Sequence, residues 1–110
     1  MADPQIGAFI DALWLEEGLS TNTLSAYRRD LTLFDDWLQT QTQGLLGASE
    51  SHIQAYFAAR HTETRATTAN RRLTVLKRFY RWCLRERLIT VDPTLRLLPA
   101  KQPLRLPKSL

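Results

Sequence analysis

Apolar residues recur at spacings of three and four over most of the chain, and no stretch alternates residue by residue as a half-buried strand does. Asp3 can cap a first helix with Pro4 at its first position, where a missing N–H costs nothing. Ile6, Phe9, Ile10, Leu13 and Trp14 then mark one face, and Gly18 is placed to end the helix. Ser20 caps a second helix, with Leu19 and Leu24 in the positions of a hydrophobic staple. Leu24, Tyr27, Leu31, Phe34 and Leu38 form its apolar stripe.

Residues 40–47 read as a loop, and a third helix is predicted from about Ser49 to Arg60, with Ile53, Tyr56 and Phe57 inward. Residues 61–66 are polar and read as a second loop. Thr67 or Thr68 is the expected cap of a fourth helix lasting to about Leu88. Asp92-Pro93 repeats the cap-then-proline signal and predicts a short fifth helix through Leu98. Pro99, Pro103 and Pro107 forbid a helix beyond it and favour an extended basic strap carrying Lys101 and Arg105. The expected fold is all-α: an orthogonal bundle of four main helices plus a short fifth. It fills one domain over residues 1–98, followed by a proline-rich linker over 99–110 that leads toward something further.

A chain of 110 residues suits one domain with a real core. No apolar run approaches the roughly 20 residues needed to cross a bilayer. The start of the chain lacks the pattern of a signal peptide, and the single cysteine, Cys83, has no partner for an internal disulfide. These features point to the cytoplasm, with no membrane partner and no small-molecule substrate.

Charge changes the picture because it is divided. Up to Thr64 there are three basic and nine acidic residues; from Arg65 onward there are twelve basic and two acidic. The second half therefore suits a polyanion. Laid out at about 100° per residue, the fourth helix gathers Leu73, Leu76, Tyr80, Cys83 and Leu84 on one arc. Arg71, Arg78, Arg81 and Arg85 fall opposite, with Asn70, Thr74 and Lys77 near them. Like charges at 78, 81 and 85 repel, which phosphates would relieve. A helix fits the major groove of B-DNA, arginine can bind phosphate or guanine, and asparagine can read adenine. Asn22, Ser25, Arg28 and Arg29 of the second helix form a second candidate reading surface near a helix start. The plainer alternative is a solvated face with arginines lying over the core.

The remaining chemistry is sparse. His52 and His61 have no partner at metal-ligand spacing, so no metal and no cofactor are expected. Tyr27, Tyr56 and Tyr80 sit at core spacings and read as packing residues; Cys83 reads as a core thiol. Trp82 falls on the basic side of the fourth helix. No phosphate-cradling glycine loop, apolar carboxylate pair or Ser-His-Asp set is found, so no catalytic residue is assigned.

Phe9-Ile-Asp-Ala-Leu-Trp-Leu-Glu-Glu17 and Asn22-Thr-Leu-Ser-Ala-Tyr-Arg-Arg-Asp-Leu31 resemble the start of tyrosine recombinases of the Xer group in the phage integrase family. The texture of Leu73–Trp82, the Asp92-Pro93 pair and the Leu106-Pro-Lys-Ser-Leu110 ending resemble the same family's fourth helix and interdomain linker. Within the group, the Ala-Leu-Trp-Leu-Glu and Ala-Tyr-Arg-Arg-Asp-Leu strings favour the XerD branch. Arg72 departs from the pattern, standing where relatives often have an apolar residue. The resemblance implies a SAM-like core-binding domain, with its second and fourth helices in adjacent major grooves as half of a clamp on a recombination site. It implies that a parent recombinase acts with a XerC-like partner and an FtsK-like translocase in chromosome dimer resolution. Its catalytic arginines, lysine, histidines and tyrosine would lie beyond Leu110, so the chain itself is not expected to be an enzyme. The competing expectations are a helical protein-interaction module for subunit assembly and a self-contained enzyme.

Overall fold

A computed structural model describes residues 3–99 of the chain. The described residues form four α-helices and no strand: α1 (Pro4–Glu17), α2 (Thr21–Thr40), α3 (Glu50–Ala59) and α4 (Ala66–Arg85). Single 3-10 turns at Leu45–Gly47 and His61–Glu63 lie in the two predicted loops.

The helix starts follow from their caps. The Asp3 carboxylate accepts the Gln5 N–H at 2.8 Å, and the Asp3 N–H donates to Asp35 on α2, so this cap also ties α1 to its neighbour. Ser20 accepts from the Thr23 N–H. Ser49 accepts from the His52 N–H while the His52 Nδ1 accepts from the Ser49 N–H, a reciprocal capping box in which histidine replaces the usual Glu or Gln. Gly18 ends α1 in the left-handed region at φ 62° and donates its N–H to the Trp14 carbonyl.

The other long helices end on left-handed residues that are not glycine. Thr42 follows α2 at φ 54°, and Arg87 follows α4 at φ 63°. The Gln43 N–H then returns to the Leu38 carbonyl, and the Leu88 N–H to the Cys83 carbonyl. α4 therefore stops at Arg85 rather than near Leu88, because Arg87 turns left-handed, a stop that no glycine announces in the sequence. Its start also differs: Arg65 holds the cap position with no side-chain acceptor, ahead of the expected Thr67 or Thr68.

Each helix contributes to one core. Ile6, Phe9, Ile10 and Leu13 meet Leu24, Leu31, Phe34 and Leu38, with Ile53 and Tyr56 from α3. α4 adds Val75, Leu76, Phe79, Tyr80 and Cys83. Phe9 meets Phe79 edge-on at 5.4 Å between ring centroids, and Phe34 meets Tyr56 at 4.9 Å. The Tyr80 hydroxyl donates to the Leu45 carbonyl at 2.7 Å, anchoring the 3-10 turn to α4.

One expectation about α4 is corrected. Leu84 is exposed, while Val75 and Phe79 are fully buried, so the buried arc is rotated by roughly 50° from the one drawn through Leu84. Trp82 lies between the core and the basic side: it packs on Phe9 and Phe79 and lines a cleft with Arg78, Arg81 and Arg85. The short fifth helix is also corrected. Asp92 does accept from the Thr94 N–H and hydroxyl, but residues 92–97 make two successive turns. The buried Thr94 is held from the side by Lys77, whose ammonium donates to its carbonyl. Residues 100–110, including Lys101 and Arg105, lie outside the described residues.

Candidate nucleic-acid interface

The basic residues of α4 divide into three rows. Arg71, Arg78 and Arg85, seven residues apart, lie in line on the flank facing α1 and α2. Arg71 donates through Nε and Nη2 to the two oxygens of Asp30, at 3.2 and 2.9 Å. Arg78 pairs with Glu17 and lies over the Tyr27 ring. Arg85 pairs with Glu16 and Glu86. The Arg85 hydrogen bonds hold the Glu16 carboxyl below the usual carboxylate range, and Glu16 in turn raises the Arg85 guanidinium.

The opposite flank carries Asn70 and Lys77. Asn70 lines a groove with Gln54, Phe57, Leu73, Leu97 and Leu98, and Lys77 is held by Thr94. Between the flanks, Thr74 and Arg81 are exposed. The Thr74 hydroxyl donates to the Asn70 carbonyl within the helix. Arg81 has no ion-pair partner among the described residues.

On α2, Asn22, Ser25, Arg28 and Arg29 are all exposed, and neither arginine has an ion-pair partner among the described residues. The structure joins the two candidate helices directly: Asp30 follows Arg29 and takes Arg71, and Tyr27 precedes Arg28 and meets Arg78. The sequence reading missed these pairings. Arg71 and Arg78 appear there as open cations, whereas each is matched to a carboxylate 41 or 61 residues away. Asp30 amid apolar neighbours was the one available signal of such a partner. Of the candidate arginines on α2 and α4, Arg28, Arg29 and Arg81 have no ion-pair partner among the described residues.

Residues 6–87 match the family model described as the phage integrase, N-terminal SAM-like domain. The chain belongs to this family. It is 55% identical over 105 residues, 96% of its length, to the tyrosine recombinase XerD of Ralstonia nicotianae. It is 45% identical to the XerD of Proteus mirabilis and 43% identical to that of Shewanella oneidensis, over 98% of its length in both cases. The chain spans 34 to 36% of the length of these three relatives.

In this SAM-like domain the residues read as packing groups are that. Burial pushes the Tyr80 and Tyr56 hydroxyls up, with Arg60 and Arg72 opposing it at Tyr56. Burial also pushes the Cys83 thiol up to about 12, which removes its nucleophilic form at neutral pH. Among the described residues no cluster of three or more potential metal ligands occurs, and no helix is long and apolar enough to cross a membrane.

Proposed function

We propose that this domain binds double-stranded DNA as the N-terminal clamp of a XerD-like site-specific recombinase. The observation that carries the reading is the placement of Arg28, Arg29 and Arg81. All three are exposed cations on two helices that Asp30 and Arg71 clasp together. Two helices fixed in this way can approach a phosphate-lined surface as one body, with Asn22, Ser25 and Thr74 beside the cations. Asn70, Arg71, Lys77 and Arg78 are flanking residues in this reading, Arg71 and Arg78 reaching DNA only by sharing or releasing Asp30 and Glu17 respectively. Lys101 and Arg105, in the basic linker over residues 99–110, belong to the same DNA-contacting set in this proposal.

The parent protein in this proposal is a cytoplasmic, nucleoid-associated recombinase that forms a phosphotyrosyl bond outside this domain. It acts with a XerC-like partner and an FtsK-like translocase in chromosome dimer resolution. A clamp missing its other half binds weakly. Fluorescence anisotropy against a duplex carrying a XerD-type half-site should give micromolar binding that falls steeply between ~50 and ~200 mM salt. Absence of binding at both salt concentrations overturns the proposal.

A second reading, a subunit-assembly module, is favoured by Trp14 and Leu15, which are 54% and 80% exposed at the end of α1. Paired Arg28→Glu and Arg81→Glu changes separate the two. They abolish DNA binding under the first reading and leave subunit association intact under the second.

A further inference from the structure

Away from the exposed face of α4, a second cationic cluster forms where α3 turns into α4. Arg60, at the end of α3, places its guanidinium carbon 5.0 Å from the centroid of the buried Tyr56 ring. Arg72, on the inner side of α4, brings Nε to 3.6 Å from Asp30, outside hydrogen-bond reach of a carboxylate that Arg71 already occupies. The Tyr56 hydroxyl, the Arg60 Nε and the Arg72 Nε are all buried and have no hydrogen-bond partner. The charges of both arginines act on Tyr56, so the three groups share one electrostatic neighbourhood.

Buried donors are nearly always satisfied, by protein, water or an ion. Here the guanidiniums of Arg71 and Arg72 share one buried carboxylate, Asp30, and Arg60 adds a third positive charge beside Tyr56, so cations outnumber anions in the cluster and its buried donors lack acceptors. It opens into a groove of about 410 Å3 whose walls are Phe57, Ala58, Ala66 and Ala69, with Arg60, Arg72 and His61 at its border. The groove reaches Thr64 and Ala66, the start of α4, where the cap position supplies no side-chain acceptor for the first-turn N–H groups.

We propose that this groove is a phosphate-binding site, with Arg60 and Arg72 as the binding side chains. Forked guanidinium donors suit a tetrahedral oxyanion, and the apolar walls leave room for the carbon portion of a phosphate ester. The site lies on the α3 flank and does not depend on the DNA-binding reading. Its phosphate can belong to a nucleic-acid backbone or to a free phosphate compound.

Arginine Nε–H resonances report on the orphaned atoms directly. Titration of the 110-residue chain with inorganic phosphate against chloride at constant ionic strength should shift the Arg60 and Arg72 Nε–H signals saturably, together with the backbone amides of residues 66–68. Arg60→Gln should weaken this binding about tenfold, the loss of one charge-assisted contact, while Arg60→Lys retains part of it and Arg96→Gln leaves it unchanged. Unchanged circular dichroism in each variant shows that the fold persists. Shifts that are absent, unsaturable or equal at every arginine mean that water alone serves these donors, and overturn the proposal. A duplex that displaces phosphate from Arg60 and Arg72 assigns the site to the nucleic-acid backbone. A duplex that perturbs Arg28 and Arg81 but leaves phosphate in place assigns it to a free phosphate compound. If phosphate binds and DNA does not, this site stands while the DNA-binding reading falls.

Discussion

Arg71 of α4 grips Asp30 of α2 through two hydrogen bonds, and the Asp30 side chain is only 1% exposed. The pair joins the two helices that carry the exposed cations. A buried carboxylate stripped of its partner is costly, but Arg71 itself is half exposed and Arg72 remains near. Arg71→Ala should therefore destabilise the domain by about 1–3 kcal/mol. Urea unfolding should show a lower midpoint with an unchanged slope. A change within about 0.5 kcal/mol would show that Arg72 alone neutralises Asp30.

Arg28, Arg29 and Arg81 are exposed and lack ion-pair partners among the described residues, so their removal should leave stability within about 0.5 kcal/mol of the parent. Each alanine substitution that deletes a phosphate contact should reduce the slope of log K against log salt by about 0.9. Equal salt slopes in the parent and the triple variant would exclude these residues from the interface.

Tyr80 donates to the Leu45 carbonyl in the core. Tyr80→Phe keeps the ring but orphans that carbonyl, at a cost of about 1–3 kcal/mol. The 3-10 turn at Leu45–Gly47 should loosen, which amide exchange at Gly47 and Ala48 will register.

The Cys83 thiol is pushed from its ordinary 9.0 up to about 12, chiefly by burial, with the charges of Asp3 and Asp92 adding to it. Above pH 9 the folded chain keeps this proton while the unfolded chain releases it. Stability is therefore full below about pH 9 and declines as pH rises toward 12. Tyr80 shifts in the same direction. Thermal midpoints between pH 7 and 11 should fall on the alkaline side, and Cys83→Ala should shallow that fall. Native Cys83 should also resist thiol reagents at pH 8 until the domain unfolds.

Local chemistry made much of the fold legible in advance. Asp3, Ser20 and Ser49 are side-chain acceptors at helix starts, and Gly18 supplies a left-handed stop, so those boundaries follow from neighbouring residues alone. The end of α4 is less visible because Arg87 adopts positive φ without being glycine, whereas the loop read from residue 40 agrees with α2 ending at Thr40. The phase of α4 differs from the sequence pattern because Leu84 has the spacing of a core residue, while the buried arc is drawn by Phe79 meeting Phe9 across the bundle. Ion pairing hid most completely. Nothing near Arg78 in sequence announces Glu17, and only the approach of α1 to α4 creates the contact.

The tether of Glu16 to Arg85 and Glu17 to Arg78 has a consequence for any incoming polyanion. At these two guanidiniums it must share or displace a resident carboxylate, whereas Arg81 between them has no ion-pair partner among the described residues. Attraction along the rod is therefore graded rather than uniform: a contact at Arg81 adds an ion pair, whereas one at Arg78 or Arg85 exchanges a resident pair for another.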